Sequence, residues 1–505
     1  MARLTNKHNN AQRIFYPSFD GGLNLSVPSE SMNKNELKEA LNVEFSHSTG
    51  AMKVRGGLVW AGRFENAIDY VVPVRGRRGF IVRRKGANGN ITKVVYYFKW
   101  NNIWSVSGRL TGTGDLSVAA WGEPGNVLIA SGGKLQLFSD ELMPPTLTTL
   151  NNSPDNCRMV FVRNGRVGVV SGDDTIIFSH VGDCTQWDNN PEDESTGQFI
   201  EIGYKDGMNI NAVVPLSRDL IIFKSPPNET DKGIIWRLTG EFPDWQVLEV
   251  AHNTGTYSMR SVQAVGNDIF YVTTAGLANL SSVTAYGEIK TSWVDRKVSS
   301  ALTQLIDDSA RLWDVPVRQQ LWLLPSSEHE KKIWVFDYSR GIWTKFLFPE
   351  VPIHAVGVDE HLYIFIGRDL YHVNESYTQD EMKTNSGSIK HTIEAQMKLG
   401  TILMGRQTLI KGVFASFELW PGCNAELKLA KFKMPFVAAG DLDYIYDPPN
   451  DTQYASEDDD PLFPEGQVLT SRRRCIVREW QIAPEINIKG GGCSVSTIGL
   501  EAAEV

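Results

Sequence analysis

Adjacent carboxylates are the residues in this chain whose type and spacing come closest to hydrolytic chemistry. They occur as Asp173-Asp174, Asp307-Asp308 and Asp458-Asp459-Asp460. Two carboxyl groups hydrolyse a glycosidic bond when they face each other across about 5–9 Å, one as the acid and the other as base or nucleophile. Neighbouring residues on a strand point to opposite faces, and neighbours in a loop crowd one another. The pairs alone therefore predict no catalytic site.

Motifs for other chemistries are missing from the sequence. It contains no Gly-x-Ser-x-Gly turn, no Walker-type phosphate loop and no His-Glu-x-x-His zinc motif. The nine histidines are scattered, and the cysteines are odd in number and far apart: Cys157, Cys184, Cys423, Cys475 and Cys493. Such cysteines are typical of small buried hydrophobic side chains rather than of a zinc site or a disulfide framework. We expect no enzyme activity, no metal and no cofactor.

Short strands are the elements that would have to position any site. Seven apolar runs resemble one another: Phe80–Val82, Val127–Ala130, Val167–Val170, Leu220–Phe223, Ile269–Val272, Leu321–Leu324 and Leu362–Phe365. Their mean spacing is about 47 residues, because six intervals separate Phe80 from Leu362. Four strands and their turns need roughly 40–50 residues, the size of one propeller blade. The spacing predicts a mainly β protein with a β-propeller of six or seven blades; unrelated hairpins in a sandwich are the alternative.

Changes in composition and hydrophobic pattern along the sequence also suggest domain limits. We predict an N-terminal tail at 1–14, the N-terminal part of a platform domain at 15–65, the propeller at 66–375, a polar linker at 376–388, and a C-terminal β-sandwich or platform part at 389–505. Residues Asp441–Asp460 carry eight carboxylates and no Lys or Arg, which indicates an exposed acidic loop. Helical periodicity is limited to two short candidates, Asn33–Asn42 and Ser299–Leu305.

The charge of the chain limits its partners. A formal net charge of −9 argues against a protein whose main function is to bind nucleic acid. Basic residues nevertheless concentrate in two segments: Arg75, Arg77, Arg78, Arg83 and Arg84, and Arg472, Arg473 and Arg474. Each segment is typical of a solvated turn or a salt-bridged subunit contact, or alternatively of a surface that faces phosphates or an acidic partner. In a homo-oligomer, Asp458, Asp459 and Asp460 could meet such a segment on the neighbouring subunit.

Membrane association is not expected. No run of about 18 apolar residues occurs, so the sequence predicts no membrane span.

The N-terminal region carries a three-part motif. Phe-x-Gly-Gly-Leu-Asn is followed by Leu-x-Glu-Ala-x-Asn and then by Gly-x-x-x-x-Arg-x-Gly. Its defining residues are Phe19, Gly21, Gly22, Leu23, Asn24, Asn42, Arg55 and Gly56. This order resembles the opening of the tail nozzle proteins of short-tailed bacteriophages, which are also called tail accessory factors, tubular proteins or phage stabilisation proteins.

The resemblance implies a structural virion protein without enzymatic activity. Six copies would form a ring below the portal and the head-to-tail adaptor, enclose the channel for genomic DNA without binding it specifically, and anchor tail fibres or spikes. The subunits would be made in the host cytoplasm and end in the virion. The resemblance also implies that the platform domain joins N- and C-terminal parts and that the motif residues lie in it.

Two other hypotheses compete with this one. The first is a propeller-type receptor- or carbohydrate-binding tail component, which would bind defined sugars without an adaptor ring. The second and weaker one is a propeller hydrolase that uses one of the carboxylate pairs.

Overall fold

The computed structural model describes residues 11–16, 18–46, 51–73, 79–85, 91–98, 102–105, 109–122, 126–139, 141, 145–190, 192–216, 218–283, 288–358, 361–419, 423–429, 432–437, 467–490 and 493–504. The chain divides into two compact units. Unit 1 comprises Met1–Trp60, Lys332–Pro349 and Val373–Val505, and unit 2 comprises Ala61–Lys331 and Glu350–His372.

Unit 2 is a β-propeller whose described residues form seven repeats around a central channel. Five of them are antiparallel sheets of four consecutive strands. These are blade 1 (Ile68–Pro73, Gly79–Lys85, Ile91–Phe98, Asn102–Ser105), blade 2 (Ser117–Ala120, Val127–Ala130, Gln136–Ser139, Thr146–Thr149), blade 3 (Met159–Arg163, Arg166–Val170, Thr175–Phe178, Gln198–Glu201), blade 4 (Asn209–Leu216, Asp219–Ser225, Ile234–Thr239, Gln246–His252) and blade 5 (Val262–Val265, Asp268–Thr273, Gly276–Val283, Glu288–Trp293). Blade 6 contributes the hairpin Arg311–Val315 and Gln320–Leu324 to this unit. The sheet of blade 7 consists of His354–Val358, His361–Ile366, Asp369–Asn374 and Gly57–Arg63, of which residues 57–60 and 373–374 are counted in unit 1.

The ring closes because blade 7 takes its fourth strand from the N-terminal side of the propeller. The first strands of the blades line the channel, and neighbouring first strands contact one another in turn. Arg63 donates from Nε and Nη2 to the two carboxylate oxygens of Asp369, at 2.6 and 2.8 Å. An apolar cluster that includes Phe80 and Phe365 then joins blade 7 to blade 1.

The predicted propeller is confirmed, and the spacing of the apolar runs has a physical cause. Each of the seven runs lies in the second strand of its blade. These strands are buried on both faces by the neighbouring blades, as Val127–Ala130 shows, and therefore read as unbroken apolar stretches. The spacing is irregular because loops differ in length: in blade 3, residues 179–197 separate the third strand from the fourth.

Unit 1 contains two large sheets and one hairpin. The long-strand sheet comprises Ala11–Tyr16, Val43–Phe45, Met52–Val54, Ile402–Leu419, Gln467–Ile482 and Ser494–Glu504. The mixed sheet has, within this unit, Gly22–Leu23, Glu36–Leu41, Lys332–Asp337, Ile342–Leu347, Glu394–Leu399, Asn424–Leu429, Phe432–Val437 and Pro484–Lys489. The hairpin is Gln379–Lys383 with Ser388–Thr392. Both sheets combine N-terminal with C-terminal strands, so the predicted β platform built from both ends of the chain is confirmed.

Helices are few and short in the described residues. One is an α-helix, Ser299–Leu302, which lies within the predicted helix Ser299–Leu305 but is shorter. The others are 3-10 helices at Ser29–Ser31, Thr230–Lys232, Met259–Ser261 and Pro316–Arg318.

The predicted helix at Asn33–Asn42 is wrong. Glu36–Leu41 is a strand that pairs in parallel with Gly22–Leu23 and antiparallel with Glu394–Leu399. Leu37 and Ala40 are buried by these neighbours. Pairing with strands distant in sequence thus overrides the local helical spacing of the apolar residues.

Several segments differ from their expected roles. The expected tail at 1–14 ends inside the strand Ala11–Tyr16, which pairs with Ser494–Glu504. The expected linker at 376–388 contains the strand Gln379–Lys383. Residues Lys332–Pro349, placed by sequence in the propeller, belong to unit 1. The acidic segment Asp441–Asp460 lies outside the described residues.

A buried carboxyl next to blade 5 makes the stability of the fold depend on pH. Asp295 is 1% exposed, and one of its carboxylate oxygens accepts a hydrogen bond from Leu277 N at 3.2 Å. Burial raises the pKa of Asp295 to about 6. The folded protein therefore binds this proton more tightly than the unfolded chain does. The resulting stabilisation is complete below about pH 4 and is lost as the pH rises through about 6.

We expect the variant Asp295→Asn to remove this pH dependence, because an amide keeps an oxygen for Leu277 N and stays neutral. Between pH 5 and pH 8 the variant should gain about 1 kcal/mol of stability relative to the wild type. Calorimetric unfolding of both proteins at several pH values measures the difference. A difference that stays constant from pH 5 to pH 8 would contradict the raised pKa.

Candidate functional site

The first part of the N-terminal motif is a close approach of two chain segments inside unit 1. Phe19 and Leu23 are fully buried. Gly22 has a φ of +62°, and a Cβ there would lie 2.5 Å from Ile342 Cγ2. A Cβ on Gly21 would lie 2.7 Å from the carbonyl oxygen of Asn35. The Gly-Gly pair therefore permits contacts that larger residues would block.

Asn24 fixes the chain after this turn. Its backbone N donates to Leu37 O at 2.9 Å, and its side-chain Oδ1 accepts hydrogen bonds from the backbone N and the hydroxyl of Ser26. Asn24 is 6% exposed, and its side-chain oxygen is thus used within the unit.

The second and third parts of the motif meet at Asn42. This residue has a φ of 54°, in the left-handed region that asparagine tolerates better than most residues. Its side-chain Oδ1 accepts hydrogen bonds from Leu347 N at 2.7 Å and from Arg55 Nε at 3.1 Å. Its Nδ2 donates to Glu394 O at 2.8 Å. One buried amide thus connects three segments that are far apart in sequence.

Arg55 completes this connection through a buried ion pair. Its Nη1 and Nη2 donate to the two carboxylate oxygens of Asp380, at 2.9 and 2.6 Å, and the two side chains are 2% and 3% exposed. Nη2 also donates to Leu347 O at 2.8 Å, and the guanidinium lies 4.3 Å from the ring centroid of Phe348. Asp380 in turn accepts a hydrogen bond from Leu58 N. We call Asn42, Arg55 and Asp380 the platform node.

Gly56 continues the same close packing. A Cβ on this residue would lie 2.7 Å from Asn374 O. All eight motif residues are therefore buried in unit 1, where they connect segments of that unit rather than form an exposed contact surface. The sequence did not predict a role for Asp380, because this residue lies in the polar segment 376–388, which is typical of a linker.

The expected subunit-contact residues have different positions. Arg75, Arg77, Arg78, Asp458, Asp459 and Asp460 lie outside the described residues. Arg84 is part of the strand Gly79–Lys85, and Arg472, Arg473 and Arg474 are part of the strand Gln467–Ile482. Arg83 corrects the expectation: its side chain is 4% exposed and binds both carboxylate oxygens of Asp69, at 3.0 and 2.9 Å. It is therefore not free to contact another subunit.

In the pairs Asp173-Asp174 and Asp307-Asp308, one carboxylate of each stabilises the local structure. Asp174 binds the ammonium of Lys224 at 2.7 Å, and Asp206 binds the same ammonium at 2.9 Å. Lys224 is completely buried in unit 2, and these two carboxylates neutralise its charge. Asp307 accepts hydrogen bonds from the backbone N and the hydroxyl of Ser309. This pattern is typical of a tight turn.

The described residues hold no group of three or more His, Cys, Asp or Glu side chains arranged for a metal ion. Cys157, Cys184, Cys423 and Cys493 are buried, as the sequence predicts. None of the helices that the structure describes could cross a bilayer.

The propeller channel contains a cavity of about 450 Å³. The first strands of all seven blades line it, with residues such as Leu116, Val160, Val213, Arg311 and His354. Charged residues stand at or just before the start of several of these strands, so they meet at one end of the channel. We call this group the channel-mouth cluster: Asp69, Tyr70, Arg83, Asp115, Arg260, Arg311 and His354.

Cations surround one aromatic ring in this cluster. Arg260 and Arg83 lie with their guanidinium carbons 4.5 and 5.5 Å from the ring centroid of Tyr70. Arg260 also forms an ion pair with Asp115, which joins blade 5 to blade 2. Burial, and then the charge of Asp115, raise the pKa of Tyr70 to about 12, so its hydroxyl is neutral.

Arg311 and His354 form the other side of the cluster. Nη1 of Arg311 donates to Ile353 O at 3.2 Å. Burial and the neighbouring charge of Arg260 lower the pKa of Arg311. Burial and the charge of Arg311 lower the pKa of His354 to about 3, so its imidazole, which packs edge-on against Trp313, is neutral.

Comparison with known proteins identifies no family for this chain. No family model and no curated protein matches the chain. The WD40 β-propeller domain of Doa1 is 12% identical, with a TM-score of 0.39 over 64% of this chain and 97% of that chain. PorZ, a surface component of the type-IX secretion system of Porphyromonas gingivalis, is 12% identical, with a TM-score of 0.41 over 74% and 54%. Raptor from Chaetomium thermophilum is also 12% identical, with a TM-score of 0.42 over 63% and 30%. At these identities and TM-scores, the likeness implies nothing about the function of this chain.

Breaking the platform node should destabilise the protein strongly. We expect Arg55→Met to lower the free energy of unfolding by about 3–5 kcal/mol, because it leaves the buried carboxylate of Asp380 without its cation. Adding Asp380→Asn should restore part of the loss, since the amide is neutral and still accepts from Leu58 N. Chemical denaturation followed by tryptophan fluorescence measures both effects.

The matched control is Lys489→Met. Lys489 forms an ion pair with Glu394 in the same unit, but the two side chains are 62% and 72% exposed. Its loss should change the free energy of unfolding by less than about 1 kcal/mol. Equal effects of Arg55→Met and Lys489→Met would show that the node is not a special support of unit 1.

Proposed function

We propose that this chain is the ring-forming subunit of the tail nozzle of a short-tailed bacteriophage. Six copies enclose the channel through which the genome leaves, dock below the portal and adaptor rings, and anchor tail fibres or spikes. The chain acts by geometry in this role and performs no catalysis. Its place of action is the virion, after synthesis and assembly in the host cytoplasm.

The platform node is the observation that carries the proposal. The motif that resembles the nozzle proteins supplies Asn42 and Arg55, and the node connects them to Asp380 and Glu394. N- and C-terminal parts thereby form one unit, which is the arrangement that the resemblance implies for a nozzle platform. A propeller alone would support many other functions, since fold does not determine function.

A long strand edge in unit 1 supports the formation of a ring. Ile402–Leu419 pairs on one side with Ser494–Glu504 and on the other with Gln467–Ile482. Gln467–Ile482 is the last strand in the order of its sheet, and the described residues include no further strand paired with it. Its 16 residues correspond to roughly 50 Å of backbone, far longer than a common strand. An edge of this length, without a partner strand among the described residues, is a template for pairing with a second chain.

A strand edge joins subunits into a ring when it pairs with a different surface of the next subunit. Pairing the edge of one subunit with a different surface of the next is a heterologous contact, which generates rings when the rotation closes. The negative charge of the chain, −9 per subunit, suits a conduit that DNA passes without being held.

Ring formation is the direct test of the proposal. We expect the purified full-length chain to sediment as a hexamer at micromolar concentration and to give six-fold top views with peripheral lobes by electron microscopy. The peripheral lobes would be the propellers. A chain that stays monomeric across the accessible concentration range would contradict the proposed function.

Two proline variants test the strand edge separately. Neighbouring residues on an antiparallel strand alternate between an N–H that faces the partner strand and one that faces away. Arg472 and Arg473 are opposite Phe414 and Val413 in a continuous register. We therefore expect one of Arg472→Pro and Arg473→Pro to lose stability, and the other to fold normally but to shift the sedimentation profile from hexamer to monomer.

The outcomes of these tests can be told apart. If the stable proline variant still forms hexamers, the ring uses another surface and the strand-edge contact is wrong, while the nozzle proposal stands. If the wild type forms no hexamer, the nozzle proposal fails regardless of the variants.

A further inference from the structure

We propose that the channel-mouth cluster binds a monocarboxylate with an apolar body. The guanidinium groups of Arg311 and Arg260 would bind the carboxylate, and the channel of the propeller would take the apolar part. This site is independent of the proposed function, because all its residues lie in one propeller.

Unused hydrogen-bond donors point to a ligand. Nε of Arg260 and Nε of Arg311 are both buried, and neither has an acceptor among the residues that the structure describes. Buried donors without partners are rare in folded proteins, because they give up hydration without a replacement. A guanidinium presents its donors as a planar fork that matches a carboxylate, and Arg260 and Arg311 both line the same cavity, so one carboxylate there could bind both side chains.

The charge balance of the cluster favours an anion with a single charge. Arg83 and Asp69 neutralise each other in a buried ion pair, and Arg260 and Asp115 form a second pair. Arg311 has no carboxylate within 4 Å in the described part of the chain, and its one protein acceptor is a backbone carbonyl. His354 is neutral beside it. The cluster therefore has one uncompensated positive charge in a chain whose total charge is negative.

The space beyond the arginines is mainly apolar and of suitable size. A cavity of about 450 Å³ lies within the range of small-ligand pockets. Its wall includes Val118, Val162, Val214 and Trp313. An inorganic anion could use the arginines but not this wall, whereas a carboxylate with an apolar body uses both.

The chemistry fits two sources of ligand. One is a free organic acid, and the other is the C-terminal carboxylate of a peptide with apolar side chains. Both place one negative charge at the end of an apolar body, so the experiment has an arm for each.

Calorimetric titration of the full-length protein tests the site. We expect sodium hexanoate to bind at least tenfold tighter than acetate, since each buried methylene strengthens binding about fourfold. Hexan-1-ol and inorganic phosphate should bind at least tenfold more weakly than hexanoate, because one lacks the charge and the other lacks the apolar body. An acetylated Ala-Val-Leu peptide with a free carboxylate is compared with its C-terminal amide. Tighter binding of the acid peptide than of hexanoate identifies a chain end, and the reverse identifies a free organic acid.

Variants assign the binding to the cluster. Arg311→Met should weaken hexanoate binding at least tenfold, and Arg311→Lys, which keeps the charge but loses the planar fork, about fivefold. If Arg311→Met does not fold, the lysine variant still gives a measurement. Lys134→Met is the matched control, because Lys134 pairs with Asp155 at the surface of blade 2 and should leave binding unchanged. Absence of binding by both hexanoate and the acid peptide, equal binding of phosphate, or wild-type affinity in Arg311→Met and Arg311→Lys would each overturn the proposal.

Discussion

Closure of the propeller is the constraint on which the rest of the structure depends. A four-stranded blade has two apolar faces and can bury them only between two neighbours, so the ring must have no end. Here the last blade is completed by the strand Gly57–Arg63. Two hydrogen bonds from the Arg63 guanidinium to the Asp369 carboxylate fix that strand. The chain therefore enters and leaves the propeller through the same blade. This topology explains why the residues before Ala61 and after His372 fold together into one unit.

The propeller was predictable because its signal repeats. Seven buried second strands leave seven apolar runs, and their average spacing survives even though the loops differ in length. Unit 1 gave no comparable signal. Glu36–Leu41 has leucines four residues apart, which imitates a helix, and its identity as a strand depends on partners that lie about 360 residues later in the sequence. Asp380 stands in a polar segment typical of a linker, and only its ion pair with Arg55 reveals its role.

The platform motif and the channel-mouth cluster also differ in how far the sequence reveals them. The motif residues of the platform were found by resemblance, and their types agree with their environments: glycine where a Cβ would clash, and asparagine where φ is positive. The channel-mouth cluster has no local pattern at all. Asp115, Arg260 and Arg311 are spread over three blades, and only the ring brings them together. A charged residue next to the start of a blade's first strand is the one signal that sequence could offer, and it becomes informative once the blades are assigned.

The size of the propeller channel also restricts where DNA could pass. A cavity of about 450 Å³ has room for a small ligand, whereas a DNA duplex, whose major groove alone is about 12 Å wide, is far larger. A nozzle made of this chain must therefore form its conduit between subunits and not through any propeller. That requirement makes oligomerisation a necessary part of the proposed function, and it leaves the propeller channel available for a small ligand.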